Sequence, residues 1–283
     1  MRSLLLALAL AISSLQAIAQ PAALVDGVQM PAWLEREGKR TPLAPGMELR
    51  AGDAIISGSG ARVLVKLGEG SVVKLGENGT LRLTELAPAR ELFKAALQVL
   101  EGAFRFTTDI AAKARKRDVN VRVGQVTAGI RGTDFWGRAR DERQIVCLIE
   151  GAIEVGADGE AAVTMDRPLQ FYRRDKGQTQ PPGFVEAGQI AQWSQETEIE
   201  KGKGAARLGG KFSVQLVSAE TQAAALRVYD QVRAAGYAAA LAPRKEGDKT
   251  MYRVVIRNLP SRAEAQALAD RLKGNFGVDD PKV

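Results

Sequence analysis

Gly-centred turns interrupt residues 52–83 so often that no helix of ordinary length has room to form there. Gly52-Asp53 precedes Ala54-Ile55-Ile56, Gly58-Ser59-Gly60 precedes Ala61 to Leu67, Gly68-Glu69-Gly70-Ser71 precedes Val72 to Leu75, and Glu77-Asn78-Gly79 precedes Thr80 to Leu83. Strands separated by fewer than ~12 residues indicate an all-β unit rather than a β-α-β one. Val63, Val65 and Leu67 alternate with Arg62, Leu64 and Lys66, so one face of that strand is wholly apolar. Similar runs recur at Val119 to Val123, Val126 to Phe135, Gln144 to Ile149 and Glu150 to Val155, and an all-β domain is predicted over residues 25–175. Glu91 to Leu100 is ambiguous. Leu92, Ala96 and Val99 suit a helix, whereas Leu97, Val99 and the following Ala103-Phe104-Arg105-Phe106 suit a strand, and alternation carried across Gly102 favours a strand from Ala95 onward.

Four local expectations follow for this domain. The glycines of Gly52-Asp53, Gly70-Ser71 and Glu150-Gly151 fall at tight connections where a positive φ comes cheaply only to glycine. Arg131 is expected to pair with Asp134 or Asp53. Of the adjacent Phe135 and Trp136, one belongs in the core and the other faces outward to a surface contact. The basic run Lys113-Ala-Arg-Lys-Arg117 is assigned to a solvated loop.

Lys211 to Val283 carry a different signature. Phe212, Val214 and Leu216 alternate with Ser213, Gln215 and Val217, the mark of a strand with one buried face. From Ser218 the spacing becomes helical, with Ala225, Leu226, Tyr229 and Val232 on one stripe, Glu220 in the first turn and Gly236 as the left-handed stop. Ala238 to Ala242 and Met251 to Ile256 read as two further strands around the Glu246-Gly247-Asp248 turn. In the second of these Tyr252, Val254 and Ile256 face one way, and Met251, Arg253 and Val255 the other. Ser261 and Glu264 form a capping box opening a second helix with Ala265, Leu268, Ala269 and Leu272 buried, and Phe276 to Val278 remain for a last strand. The order strand, helix, strand, strand, helix, strand is the α+β ferredoxin-like (βαββαβ) arrangement. Both helices then cover one sheet face and leave the other open, with Ser213, Gln215, Met251, Arg253 and Val255 as neighbours on it.

The chemistry available is limited by two counts. The chain has no histidine, which removes Ser-His-Asp and Cys-His nucleophiles and His-containing metal sites together. Cys147 is the single cysteine, set in Ile-Val-Cys-Leu-Ile as a buried strand residue would be. Glu69, Glu101 and Glu150 all lie at turns, where a raised carboxylate pKa for general-acid work is not expected. No catalytic activity, metal or cofactor is therefore expected. A net charge of +7 suits approach to anionic envelope surfaces, but without a concentrated aromatic-basic motif it does not suggest nucleic acid.

At the start, Arg2, an apolar run from Leu4 to Ile12 and Ala17-Ile18-Ala19 have the layout of a cleavable signal peptide, residues 1–19, with no cysteine nearby for a lipid anchor. The run is shorter than the ~20 residues of a membrane span. An exported, periplasmic chain without a span is expected. Residues 176–210 read as a linker in which Ala187 to Ile199 forms a short helix packed back through Ile190, Trp193 and Ile199. Glu200 to Gly210 read as a flexible tether with a reach on the order of 15 to 20 Å.

Two resemblances add to this. The Phe-Ser-Val-Gln start, the Tyr-Arg-Val strand and the Leu-Pro-Ser-Arg-Ala-Glu-Ala helix entry of residues 211–283 resemble the SPOR domain family. That implies binding of septal peptidoglycan, specifically glycan strands stripped of stem peptides, on the open sheet face. Gln215 and Arg253 lead the implied contacts, with Ser213, Met251 and Val255 beside them and Ser218 as either a further contact or the N-cap of the helix. Gly52-Asp53, Ala61 to Val65, Gly70 to Leu75, Leu100 to Phe104, Ile130 to Phe135 and Ile149 to Val155 resemble, in order, the periplasmic domain of the FecR family. That implies stacked short strands, solenoid-like or sandwich-like, serving interaction with an envelope protein. FecR-type regulators have a cytoplasmic segment and a span where this chain has its predicted leader. An envelope adaptor is thus expected, with septal placement as its address, and a FecR-related periplasmic signalling regulator is the alternative.

Overall fold

The computed structural model describes residues 21–88, 92–108 and 116–283, apart from the side chains of Pro88 and Arg131. The predicted leader, residues 1–19, and Lys113 to Arg115 of the basic run lie outside these residues. Eight short, turn-bounded strands come first, the last four where the glycine spacing predicts them: β1 (Ala23–Gln29), β2 (Ala32–Arg36), β3 (Lys39–Pro42), β4 (Glu48–Leu49), β5 (Ala54–Ser57), β6 (Arg62–Leu67), β7 (Val72–Leu75) and β8 (Thr80–Pro88). Then follow β9 (Leu92–Thr107), β10 (Lys116–Val123), β11 (Val126–Arg140), β12 (Arg143–Ala157), β13 (Val163–Met165), β14 (Gln170–Asp175) and β15 (Gln178–Phe184). The ambiguous stretch is thus strand from Leu92, three residues earlier than the alternation alone suggests, and Lys116 and Arg117 open a strand rather than sit in a loop.

The three long strands each serve two layers. The first half of β9 lies between β8 and β10, and its second half between β7 and β11. Likewise β12 pairs first with β14 and later with β13. The changeovers fall at Gly102 (φ 91°), Gly132 (φ 63°) and Gly151 (φ 88°), where the β11–β12 register also shifts. Strands that bend at bulges to change layers form the corners of a sandwich. Between the layers sits one core, built from alternate residues such as Val63, Val65, Phe104, Phe106 and Phe135 on one side and Leu81, Leu97, Val99 and Val121 on the other. Phe135 meets the Phe104 ring edge-on at 5.4 Å.

A second, smaller core covers the outside of the sandwich. Helix α1 (Ala187–Gln195) has no side-chain N-cap and no acid in its first turn, so tertiary packing rather than intrinsic propensity maintains it. It lays Ile190 and Trp193 over Ala103, Trp136, Ile145 and Cys147. Trp193 stacks on Trp136 at 4.8 Å with the planes 16° apart, and the Arg138 guanidinium sits 5.1 Å from the Trp136 ring. Phe135 therefore faces the inner core and Trp136 the outer one, fully buried by a helix of the same chain. Burial also pushes the Cys147 thiol up to about 12. A bulky disulfide reagent at pH 8 is expected to leave Cys147 unmodified in the native protein and to titrate it fully in denaturant; reaction at native conditions would show that α1 lifts away.

Two carboxylates expected to take Arg131 have other partners. Asp134 receives Arg105 through two bonds of 2.9 and 2.7 Å, and Asp53 receives Arg36 through two of 2.7 Å together with the Arg50 N–H. The Arg131 side chain itself lies outside the described residues; Arg105 and Arg36 reach these acids as cross-strand neighbours in the sheet.

The polar stretch after α1 is an ordered strap, not a free tether. Glu196 meets Arg138 at 3.1 Å, Glu198 meets Lys74 at 2.5 Å and Arg105 at 3.3 Å, and Glu200 lies 3.9 Å from Arg62 while its N–H donates to the Gln29 side chain. Burial lifts the Glu196 carboxyl above its ordinary value even though Arg138 pulls it down. β16 (Ala205–Arg207) then adds to β1, with Ala206 opposite Val28. Local composition suggested flexibility; the basic stripe on β6, β7, β9 and β11 that receives these acids is assembled only by the fold.

Beyond it come β17 (Phe212–Ala219), α2 (Gln222–Ala234), β18 (Ala239–Glu246), β19 (Lys249–Leu259) and α3 (Arg262–Leu272). The strands pair in the order β17-β19-β18, and both helices pack on one face through Ala225, Val232, Ala265, Leu268 and Leu272. Phe276 to Val278 do not form a strand. Asn275 and Val278 close a turn, and Lys282 instead bridges Gln215 by two backbone bonds of 2.8 Å. The segment Asn275-Phe-Gly-Val carries glycine at φ 74° and Phe276 at φ 55°, conformations no regular strand adopts.

Candidate functional site

Thr221, not Ser218, caps α2, its hydroxyl accepting the Ala224 N–H at 3.3 Å. β17 therefore runs on to Ala219, and Glu220 lies before the helix, beside Lys249 at 3.5 Å. A bulge between Gln215 and Val217 inserts one residue into β17. Its effect is to put Gln215 and Ser218, three apart, on the same sheet face, which a strict period of two would forbid. Val214 and Val217 then point to the helices, opposite Ile256 and Val254.

The face away from the helices is a grid of cross-strand pairs. Gln215 stands opposite Val255, and Ser218 opposite Arg253. On the other side of β19, Val255 faces Ala240, Arg253 faces Ala242 and Met251 faces Arg244. Ser213, exposed, lies two residues before Gln215 at the end of the β17 row. All six residues expected at the site are thus on one surface. Val255 differs from its neighbours, being 7% exposed at the centre of the grid, so it gives the floor its shape while Gln215, Arg253 and Met251 stand around it.

Sequence reading missed four further members. Ala240 and Ala242 leave the β18 side of the face low, and Arg244 extends it; the predicted strand stopped at Ala242, although alternation across Pro243 points to Arg244. Lys282, on the far side of Gln215, depends on a chain end that local pattern does not place.

The side chains of this face have few partners within the chain. Most arginines described in the β domain are tied to carboxylates or carbonyls. Among the described residues, by contrast, the side chains of Ser213, Gln215, Ser218, Arg244 and Arg253 have no hydrogen-bond or ion-pair partner, and Arg253 Nε is shielded from solvent without an acceptor. Buried or half-buried polar groups are ordinarily satisfied internally. A surface with donors and acceptors left over beside a thioether and a valine floor is suited to a ligand that has many hydroxyls and an apolar flank. Nothing here resembles a metal centre: among the described residues no three cysteine or acidic side chains converge as metal ligands. No helix among them is long and apolar enough to cross a membrane.

Comparison with known proteins agrees with this layout. Residues 208–280 match the family model of the SPOR domain, and residues 53–154 match that of the FecR protein. No curated protein matches the chain. Two crystal structures of a protein from Parabacteroides distasonis ATCC 8503, assigned as an anti-sigma factor, are similar to it at 16% identity, covering 70% of this chain and 98% and 96% of theirs, with TM-scores of 0.42 and 0.41. A likeness that loose carries no argument about function.

Proposed function

For a chain that carries a FecR domain followed by a SPOR domain, we propose the role of an exported envelope adaptor that binds peptidoglycan glycan strands with one domain and an envelope protein with the other. The observation that carries this is the set of unpartnered polar side chains on the open sheet face. Gln215, Ser218 and Arg253 would hydrogen-bond sugar hydroxyls and acetamido groups, and Met251 would lie against the apolar face of a sugar ring. A flat surface admits a bare glycan strand and sterically excludes one with stem peptides, which would direct the protein to denuded, septal material. In the ferredoxin-like reading of this domain, Lys282 takes the place of the fourth strand, beside β17.

The test is a pull-down of the full mature chain with sacculi treated and untreated with an amidase. Binding should favour treated sacculi, and Gln215→Ala with Arg253→Ala should weaken it by about 10- to 100-fold, the loss of two hydrogen-bonding side chains, one of them charged, while leaving the melting temperature unchanged. Equal retention on both kinds of sacculi, or by the double variant, would refute the glycan reading. Release of muropeptides by the purified protein would instead reveal a hydrolase. The FecR match supports a second reading, a periplasmic signalling regulator, in which deleting the gene changes transcription without changing cell separation.

A further inference from the structure

Glu264 does not do what its position in the capping box suggests. The Ser261 hydroxyl accepts the Glu264 N–H at 3.2 Å, as a helix N-cap should, but the Glu264 carboxylate is turned away from α3's own first turn. It accepts three backbone N–H groups of the strap, from Gly202 at 2.6 Å, Gly204 at 2.7 Å and Ala205 at 3.1 Å, and is 9% exposed. Gly204 is required for this approach twice over. Its φ is 69°, and a β-carbon there would lie 2.9 Å from Leu268 Cα. Immediately beyond, β16 is hydrogen-bonded into the β domain through β1. One carboxylate at a helix N-terminus therefore joins the SPOR domain to a strand of the other domain.

Other contacts close the same joint. The Arg271 guanidinium, at the far end of α3, donates to Met30 O at 3.0 Å and to the Lys203 carbonyl. The Ala32 N–H donates to Gly236 O at 3.1 Å, and the Trp33 ring lies against Gly236, where a β-carbon would come within 2.6 Å of it. Upstream, the Glu196, Glu198 and Glu200 side chains fasten the strap across four strands. The contacts of Glu264, Arg271 and Gly236 come from the helix side of the SPOR domain or the loop after α2. None involves Ser213, Gln215, Ser218, Met251 or Arg253.

We propose that residues 196–207 form a clasp that holds the two domains as one rigid body, with the Glu264 carboxylate as its lock, so that the open sheet face is presented outward at a fixed angle to the β domain. A flexible tether would let each domain search independently, whereas a clasped pair holds two ligands at a set spacing and orientation. The inference is independent of what the open face binds.

The experiment uses the full mature chain, with small-angle scattering and limited trypsin digestion read together. Lys201 and Lys203 are exposed on the clasp and are natural cleavage points if it opens. The wild type is expected to scatter as a single rigid particle and to be cut slowly after these lysines. Glu264→Ala should raise the radius of gyration and speed cleavage by about tenfold or more, because proteolysis follows the population of the open form. A second variant, Glu196→Gln with Glu198→Gln and Glu200→Gln, alters only the strap and decides the matter if Glu264→Ala disrupts α3; it should move both readouts in the same direction while far-ultraviolet circular dichroism stays the same. Wild-type scattering that requires an ensemble of domain orientations, or wild-type behaviour in the folded variants, would overturn the clasp.

Discussion

Exchange of Gly151 for alanine should destabilise the β domain by about 2–5 kcal/mol, measured as the shift in denaturant unfolding. Two separate costs add. The residue has a φ of 88°, a left-handed conformation that costs a non-glycine residue roughly 1–2 kcal/mol. Its β-carbon would also lie 2.4 Å from the Gly132 carbonyl oxygen and 3.0 Å from Thr133 Cα, backbone atoms that cannot swing aside. Relieving that overlap by moving the strands costs about 1–3 kcal/mol more. Gly52 supplies the control, since its φ of 91° is similar but no atom lies within 4 Å of the position a β-carbon would take. Gly52→Ala should therefore lose only about 1–2 kcal/mol. Equal losses at the two positions would show that the close approach of β11 and β12 at the sandwich corner is not a constraint.

Trp136→Ala should cost a similar amount, about 3–5 kcal/mol, for a different reason. The ring is fully buried between the outer face of the sandwich and α1, stacked on Trp193 and flanked by Arg138. Removing it leaves a cavity and deprives α1 of its main contact, and α1 has no side-chain cap to sustain it alone. Cys147, in the same cluster, should then become open to thiol reagents in the native state. Trp193→Ala, at a half-buried position, should lose less, and Trp136→Phe should retain most of the stability. A loss below about 1.5 kcal/mol for Trp136→Ala, a level usual for surface or lightly packed sites, would mean that α1 is docked by something other than this stack. The same variant links the outer core to the clasp, because α1 leads directly into Glu196.

Several features were legible from residue pattern because they depend on near neighbours alone. Alternation at Val63, Val65 and Leu67 gave the inner face of β6, and the Gly-Asp and Glu-Gly pairs gave positive φ at Gly52, Gly70 and Gly151. The surface carrying Gln215, Met251, Arg253 and Val255 was equally readable, since side chains two apart on a strand share a face. Pattern failed to decide where one residue changes the count or where a partner is distant. The bulge after Gln215 settled the two readings of Ser218 in favour of the open face over the helix cap, and alternation has no signal for an inserted residue. Arg105 and Arg36 took Asp134 and Asp53 because strands far apart in sequence came to lie side by side, a contact that local pattern does not show.

By itself, then, the sequence determined the two domains' order, the β character of the first, and the strand face on which the second presents its polar residues. Each of these follows from periodicity and turn chemistry within a few residues. Only the tertiary structure decided that the three long strands cross between layers, that Trp136 is covered by α1, and that the supposed tether is fastened. Glu196, Glu198 and Glu200 look like ordinary solvated acids, and Glu264 like a capping residue of its own helix, until the fold brings arginines, a lysine and free backbone N–H groups within hydrogen-bond or ion-pair reach. Local pattern records which way a side chain points; what it meets there is a property of the whole chain.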